Sequence, residues 1–289
     1  MSGALLVFGQ TGQLAQELAR IAPDARFLGR TDADLRDPEA CAKAIRHTAP
    51  RAVINAAAYT AVDRAEAEEA LALRINAEAP AAMAAACAVA GIPFVQVSTD
   101  YVFDGTGNAP WATDATPGPL GTYGRTKHAG EAAVRAAGGV HAILRTSWVF
   151  SARGHNFLRT MLRLGAERAE IAVVADQIGG PTPADALAEA CLAIATQLAE
   201  TPAKSGTYHF AGTPDISWAG FAREIFAQAN LPCAVRDIAS ADYPTPAPRP
   251  ANSRLDCAAT MGAFGLMRPD WRQGVARVLA QITAGEGTR

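Results

Sequence analysis

A run of apolar residues broken by two glycines constrains this chain more than any other feature. Ala4-Leu5-Leu6-Val7-Phe8 is continuously apolar, the pattern of a strand buried on both faces. Gly9-Gln10-Thr11-Gly12-Gln13-Leu14-Ala15 follows it as G-x-x-G-x-x-A. Leu14, Leu18 and Ile21 then recur at helical spacing until Pro23. Buried strand, glycine turn and helix together read as the opening of a dinucleotide-binding unit. Gly9 permits the tight turn, Gly12 lets the backbone approach a pyrophosphate, and Ala15 allows close helix-sheet packing. The positive end of the helix favours the phosphate charge. An ordinary strand-helix turn rich in glycine reads the same in isolation, so placement has to decide.

Placement favours the dinucleotide reading. Arg26-Phe27-Leu28, Ala52-Val53-Ile54-Asn55, Pro93 to Ser98 and His141 to Arg145 are further strand candidates. Helices are expected over Pro38 to His47, Asn76 to Ala90 and Tyr123 to Ala137. This alternation with short loops predicts an α/β fold, a Rossmann-type doubly wound and mostly parallel sheet. After about residue 150 the rhythm changes. Helices over Asn156 to Leu164, Pro183 to Leu198 and Trp218 to Ala229 alternate with loops. We therefore expect a dinucleotide-binding domain over residues 1–150. Residues 151–289 are expected to form mainly a smaller α+β substrate domain, with some segments returning to the first. The prolines of Tyr243 to Pro250 disfavour sheet and helix, so that stretch is expected to be an ordered loop covering something.

Composition removes several function classes. The chain has 289 residues, 49% hydrophobic and 19% charged, enough to bury a sizeable core. A net charge of -2 offers no basic footprint for nucleic acid and no polybasic membrane anchor. The Ala-rich run Ala77 to Ala90 is too short and mild to span a bilayer. Cys41, Cys87, Cys191, Cys233 and Cys257 are scattered, with no C-x-x-C pair. That argues against disulfides and a zinc site, and for a reducing cytosol. Met1 to Phe8 lacks a basic n-region and reads as a first strand rather than a signal peptide. The histidines show no metal-ligand spacing, so no metal site is expected.

The candidate chemistry centres on Tyr123 and Lys127, four residues apart and so on one face of a helix. A phenol of pKa near 10 is a poor acid-base group at neutral pH, and a nearby ammonium is expected to bring it down. The spacing alone arises often by chance. Val97-Ser98-Thr99-Asp100-Tyr101 adds a polar cluster at the carboxyl end of a buried strand, where open α/β sheets place ligands. Thr99 would offer a hydroxyl beside Tyr123, although a turn or helix cap would use the same residue types. At the end of the second strand, Gly29-Arg30-Thr31 stands where an acid often serves the ribose of NAD. Arg30 could instead hold a 2′-phosphate, or be a solvated surface arginine. The cofactor expected is NADPH, with NADH possible. Asp34 and Leu35 would then lie against the adenine.

With the glycine turn, Ser98-Thr99-Asp100 and Tyr-x-x-x-Lys in this order, the chain resembles the extended short-chain dehydrogenase/reductases. Asn55-Ala56-Ala57-Ala58-Tyr59-Thr60-Ala61-Val62-Asp63, Arg145-Thr146-Ser147-Trp148-Val149-Phe150 and Asp176-Gln177-Ile178-Gly179-Gly180-Pro181-Thr182 narrow the resemblance to the dTDP-4-dehydrorhamnose reductases, over nearly the whole chain. That family reduces the C4 ketone of dTDP-4-dehydro-L-rhamnose in dTDP-rhamnose biosynthesis, which feeds surface polysaccharide such as lipopolysaccharide. The resemblance implies Tyr123 as general acid, Lys127 as its partner and Thr99 as tuner of the proton transfer. It implies a cofactor site of Gly9, Thr11, Gly12, Gln13, Leu14, Arg30, Asp34, Leu35, Ala57, Ala58, Tyr59, Thr60 and Val97, with Tyr123 and Lys127. For the dTDP-sugar it implies Thr99, Asp100, Tyr101, Trp148, Asn156, Arg249, Asn252 and Ser253. Trp148 could equally be a core residue, and the arginine loop an ordinary surface loop. The family often has a metal-linked dimer built on C-terminal acids. Glu286 is the only acid in the last nineteen positions here, which speaks against a Mg2+ bridge. A monomer and a homodimer both stay open. So do a related 4-ketoreductase or epimerase and a non-catalytic regulatory subunit of the same fold.

Overall fold

The structure is a computed structural model and describes residues 4–285. Its first half alternates strand and helix: β1 (Leu5–Phe8), α1 (Gln13–Ile21), β2 (Arg26–Leu28), α2 (Pro38–Thr48) and β3 (Ala52–Asn55). Two short helices follow, α3 (Val62–Ala65) and α4 (Glu69–Leu73), then a π-helical turn over Arg74–Glu78 that runs into α5 (Ala79–Ala90). Next come β4 (Phe94–Thr99), α6 (Thr122–Ala136) and β5 (His141–Thr146). The second half holds β6 (Val149–Phe150), α7 (Phe157–Glu167), β7 (Glu170–Val174), β8 (Ile178–Gly179), β9 (Thr182–Pro183) and α8 (Ala184–Glu200). It continues with β10 (Gly206–His209), β11 (Ile216–Ser217), α9 (Trp218–Gln228), β12 (Ala234–Ile238), β13 (Asn252–Ser253), α10 (Ala258–Phe264) and α11 (Trp271–Thr283).

Six strands form one sheet in the order β10-β5-β4-β3-β1-β2, and every neighbouring pair is parallel. The order reverses at β1, whose neighbours are β2 and β3. Both faces are covered, which is why the strands read as unbroken apolar runs. Leu5, Val7, Ile54, Val95 and Leu144 pack towards α1 and α8, against Leu18, Leu187 and Ile194. The alternate residues Leu6, Phe8, Val53, Phe94 and Ile143 pack towards α2 and α5, against Ile45 and Met83. A separate core of Leu158, Ile171, Phe221, Ile225, Trp271 and Val275 joins α7, β7, α9 and α11.

Local chemistry sets the helix ends. Asp37 accepts from Ala40 N at 3.1 Å to cap α2, with Pro38 at its first position. Gly91 closes α5 with φ 66. Two features differ from the sequence expectation. The helix expected from Asn76 starts as the π turn, which turns the Asn76 side chain inward. From residue 149 onward the chain contains seven short strands outside the main sheet, β6 to β9 and β11 to β13, where loops were expected between helices. Most span two residues, too few to leave a periodicity. β10, from the second half of the chain, is the sixth strand of the main sheet. The Pro-rich stretch 243–250 is loop after a 3-10 turn, as its prolines require. Among the described residues no helix is long and apolar enough to cross a membrane.

Helix α6 touches backbone directly at two glycines. A Cβ on Gly124 would run into the Tyr101 carbonyl oxygen, and one on Gly130 into that of Asn76. Gly130→Ala is therefore expected to push α6 off the π turn, costing about 1–3 kcal/mol as overpacking does. A lowered Tm in thermal unfolding is the check, and an unchanged Tm would refute the close packing.

Candidate active site

Five strand ends converge on one edge of the sheet. Gly9 to Gly12 follow β1, Gly29 and Arg30 follow β2, and Ala57 to Thr60 follow β3. Thr99 to Tyr101 close β4, and Trp148 lies just past β5. This is the carboxyl edge of the sheet beside its point of reversal, where parallel open sheets bind ligands.

Helix α6 brings Tyr123 and Lys127 to that edge. Tyr123 is half-buried and its ring stands edge-on to Tyr101, with centroids 5.5 Å apart. Thr99 is buried beside it. Its Oγ1 donates to Asp100 Oδ1 at 3.1 Å and accepts from Tyr101 N at 3.2 Å. Burial pushes the Tyr123 phenol up to about 12, while a hydrogen bond with Thr99 pulls it down and Asp100 pushes it up. The expected lowering by Lys127 does not occur. The Lys127 ammonium donates to Val97 O at 2.7 Å instead, and burial brings it down to about 8. Burial sets the direction of the phenol's shift, to which Lys127 does not contribute, and that direction favours the protonated form. Asp100 is buried, its carboxyl raised by burial to about 6 and lowered in turn by Ser253 and Thr99. Its Oδ2 has no close hydrogen-bond partner, and neither has Thr146 Oγ1, whose residue pairs with Thr99 across β4 and β5. Unpartnered buried oxygens at a strand edge fit a polar ligand.

The turn after β1 fits a dinucleotide. Gly9 has φ 117, a conformation glycine adopts freely. A Cβ on Gly12 would meet nothing within 4 Å, so open space faces the start of α1. No side chain caps α1, which leaves the first N–H groups, including those of Gln13 and Leu14, open to an anion. The Leu14 side chain itself is buried in the core, so only its backbone faces the turn. Thr11 and Arg30 are exposed. No carboxylate pairs with Arg30 among the described residues. Asp34 does not stand free beside an adenine position. Arg36 forks onto it through Nε at 2.8 Å and Nη2 at 2.5 Å, which holds its carboxyl below the usual range. Leu35 is half-buried against the α2 side of the core.

Beyond β3, Ala57 N donates to Asn55 Oδ1 at 3.2 Å, and Ala58 and Thr60 flank the chain's turn outward. Tyr59 is clamped by Asn76, whose Oδ1 accepts from Tyr59 N at 2.8 Å and whose Nδ2 donates to Tyr59 O at 3.1 Å. Its phenol donates to Glu68. Asn76 also donates to Thr126 Oγ1 at 3.1 Å, tying this loop to α6.

The expected sugar-nucleotide residues divide. Trp148 has φ 50 and its indole stacks on Trp218 with centroids 3.6 Å apart. A Cβ on Gly179 would meet both that indole and Ser253. Trp148, Gly179 and Ser253 are therefore neighbours, and Ser253 lies beside Asp100. Burial raises the Tyr101 phenol, whose ring meets that of Tyr123. Three other residues are already engaged. Asn156 caps α7 by accepting from Arg159 N at 3.1 Å and donates to Gln13 Oε1 at 2.9 Å, bracing the glycine turn. Asn252 donates to Ala109 O at 2.8 Å and accepts from Arg254 N at 3.2 Å. Arg249 forks onto Asp63 at 2.5 and 2.8 Å, pinning the Pro-rich loop to α3.

Sequence reasoning missed Asn76, Trp218, Arg36 and Asp63. Asp63 sits 186 residues from Arg249, a separation that leaves no local signal. Among the described residues no group of His, Cys, Asp or Glu could hold a metal ion, and Glu286 lies outside them.

A family model described as the RmlD substrate binding domain matches residues 3–284. A dTDP-4-dehydrorhamnose reductase of Burkholderia thailandensis is 45% identical, covering 94% of this chain and 96% of its own. One of Sinorhizobium fredii is 42% identical over 95% of this chain and 96% of its own. A solved dTDP-4-dehydrorhamnose reductase of Bacillus anthracis, in complex with NADP, superposes with a TM-score of 0.89 at 34% identity, covering 97% of this chain and 100% of its own. The chain belongs to the dTDP-4-dehydrorhamnose reductase family.

Proposed function

We propose that this protein reduces the C4 ketone of dTDP-4-dehydro-L-rhamnose to dTDP-L-rhamnose, with NADPH as reductant. The observation that carries the reading is the placement of Tyr123 beside Tyr101 and Thr99 at the sheet's carboxyl edge, one helical turn from the buried Lys127 ammonium bonded to Val97 O. The reduced nicotinamide, when bound, supplies the hydride. Everything else falls to the chain's own residues. Gly9, Gly12 and the open N–H groups of α1 hold the pyrophosphate. Arg30 pairs a 2′-phosphate, and the backbone after β3 lines the ribose side. Tyr123 Oη gives its proton to the C4 oxygen as negative charge develops there. A phenol near pKa 12 stays loaded at neutral pH, and the Thr99 hydrogen bond eases its loss of the proton. Lys127 places a positive charge behind the phenol as it becomes phenolate. The apolar face of Trp148, backed by Trp218, suits a deoxysugar, and Asp100 Oδ2 is free to accept from a sugar hydroxyl. Arg249 reaches the diphosphate only by exchanging Asp63 for it, whereas Asn156 and Asn252 act by holding Gln13 and the loop around β13. Residues 1–150 serve mainly the cofactor and the later segments mainly the sugar nucleotide. A cytosolic setting agrees with five buried free thiols.

Three outcomes follow. In an absorbance assay of NADPH with dTDP-4-dehydro-L-rhamnose, Tyr123→Phe loses about 100-fold or more of kcat, since the proton donor is gone. Undiminished turnover in that variant would sink the mechanism. Lys127 loses its proton as pH rises through about 8. The kcat/KM for reduction should therefore fall above that pH, and a profile still rising there would contradict the role given to the ammonium. Arg30→Ala should lower the preference for NADPH over NADH about tenfold, the worth of one charge-assisted contact. Equal preference in both proteins retires the 2′-phosphate contact.

A further inference from the structure

Glu131 lies one helical turn beyond Lys127 on α6 and has no solvent exposure. A buried carboxylate is costly unless it is paired and hydrogen-bonded. Arg145 of β5 donates to it through Nε at 2.9 Å and Nη2 at 2.7 Å, and Ser98 of β4 donates through Oγ at 2.6 Å. Burial alone would raise this carboxyl, but Arg145, His128 and Ser98 hold it well below the usual range.

These contacts adjoin the reacting groups without belonging to them. Ser98 precedes Thr99 in the chain. Lys127 donates to Val97 O at 2.7 Å, so α6 is bonded to β4 at both residues that lead into Thr99. We propose that Glu131 is a positioning residue. Through Ser98 it fixes the Thr99 strand end against the Tyr123 helix, and through its charge it keeps the Lys127 ammonium in place. The inference rests on the acid-base reading of Tyr123 and Lys127 given above.

Other charged groups around α6 do not replace it. Arg145, with His209 Nε2 3.3 Å from its Nη1, faces Glu131 from the sheet. His128 and Arg135 flank Glu131 on its own helix, at 4.0 and 3.4 Å. Arg74 and Glu78, on the π turn beside α6, pair with each other at 3.5 Å. Glu69 pairs with Arg125 at 3.5 Å, and Glu66 accepts from Thr122 N at 2.8 Å, both near the start of α6. Asp100 and Tyr123 stand at the open edge. Burial lowers Lys127 towards neutrality, and the charge that opposes it is that of Glu131.

The chain has only three lysines, Lys43, Lys127 and Lys204, so the ammonium can be watched directly. The experiment titrates the cofactor-free protein carrying 13C-lysine by NMR, with Lys127 assigned by its loss in Lys127→Arg. Glu131→Gln alone would leave Arg145 buried without its partner, so the variant used is Glu131→Gln with Arg145→Met. Its Lys127 midpoint is expected clearly below wild type, because Glu131 and not Arg145 acts on Lys127, with Lys43 and Lys204 unmoved. The basic limb of kcat/KM should move with it. A folded double variant with an unmoved Lys127 midpoint overturns the electrostatic half of the proposal. Ser98→Ala keeps both charges and carries the test should the double variant not fold. Its Lys127 midpoint is expected to match wild type, while kcat falls about tenfold at an unchanged KM for NADPH, as lost alignment requires. A wild-type kcat in Ser98→Ala overturns the tether. The titration needs no substrate, so its failure is distinct from failure of the reductase reading, which would appear as no turnover in wild type.

Discussion

Helix α6 lies directly on bare backbone, and Gly124 and Gly130 make that possible. At Gly124 the neighbour is the carbonyl of Tyr101, and at Gly130 it is the carbonyl of Asn76. With no side chain between them, helix and strand end are close enough for Lys127 to bond the backbone of β4 and for Tyr123 to reach Thr99. The same contact draws in the π turn, whose Asn76 holds Tyr59 by its backbone and Thr126 by its hydroxyl. The end of β3, the end of β4 and the start of α6 are thereby one rigid corner, built where the sheet's carboxyl edge places ligands.

Burial does the electrostatic work at that corner. It raises the phenol, lowers the ammonium and raises the Asp100 carboxyl, each towards its neutral form. A reductase needs its tyrosine loaded with a proton before the hydride arrives, and a dry setting keeps it so. In the proposed mechanism the lysine acts at the moment the phenolate forms, when attraction in a water-poor pocket is strong. The Glu131–Arg145 pair beneath is dry as well, and its hydrogen bonds are complete.

How much of this the chain displays in one dimension depends on distance along it. The first strand, the glycine turn, Tyr123 and Lys127 are all local patterns of two to seven residues, and the parallel sheet is legible from repeated apolar runs. The direction of the phenol's shift was not legible, because it is set by desolvation, a property of the assembled corner to which Lys127 at helical spacing adds nothing. Arg249 and Asn156 are ligand contacts only as the family resemblance implies, with a surface loop an equal reading for Arg249. In the fold they are held by Asp63 and Gln13, partners 186 and 143 residues away. The strands beyond residue 150 were invisible because most span two residues, set by tertiary pairing rather than by their own pattern.

The central claim is that this edge carries out a net hydride-and-proton addition at a sugar C4. The most direct measurement is the fate of deuterium from NADPH dideuterated at the nicotinamide C4, followed by NMR of the nucleotide sugar formed from dTDP-4-dehydro-L-rhamnose. The account predicts one deuterium, bound to C4 of dTDP-L-rhamnose, for each NADPH consumed. A product free of deuterium at C4, or sugar interconverted with no NADPH consumed, would contradict it.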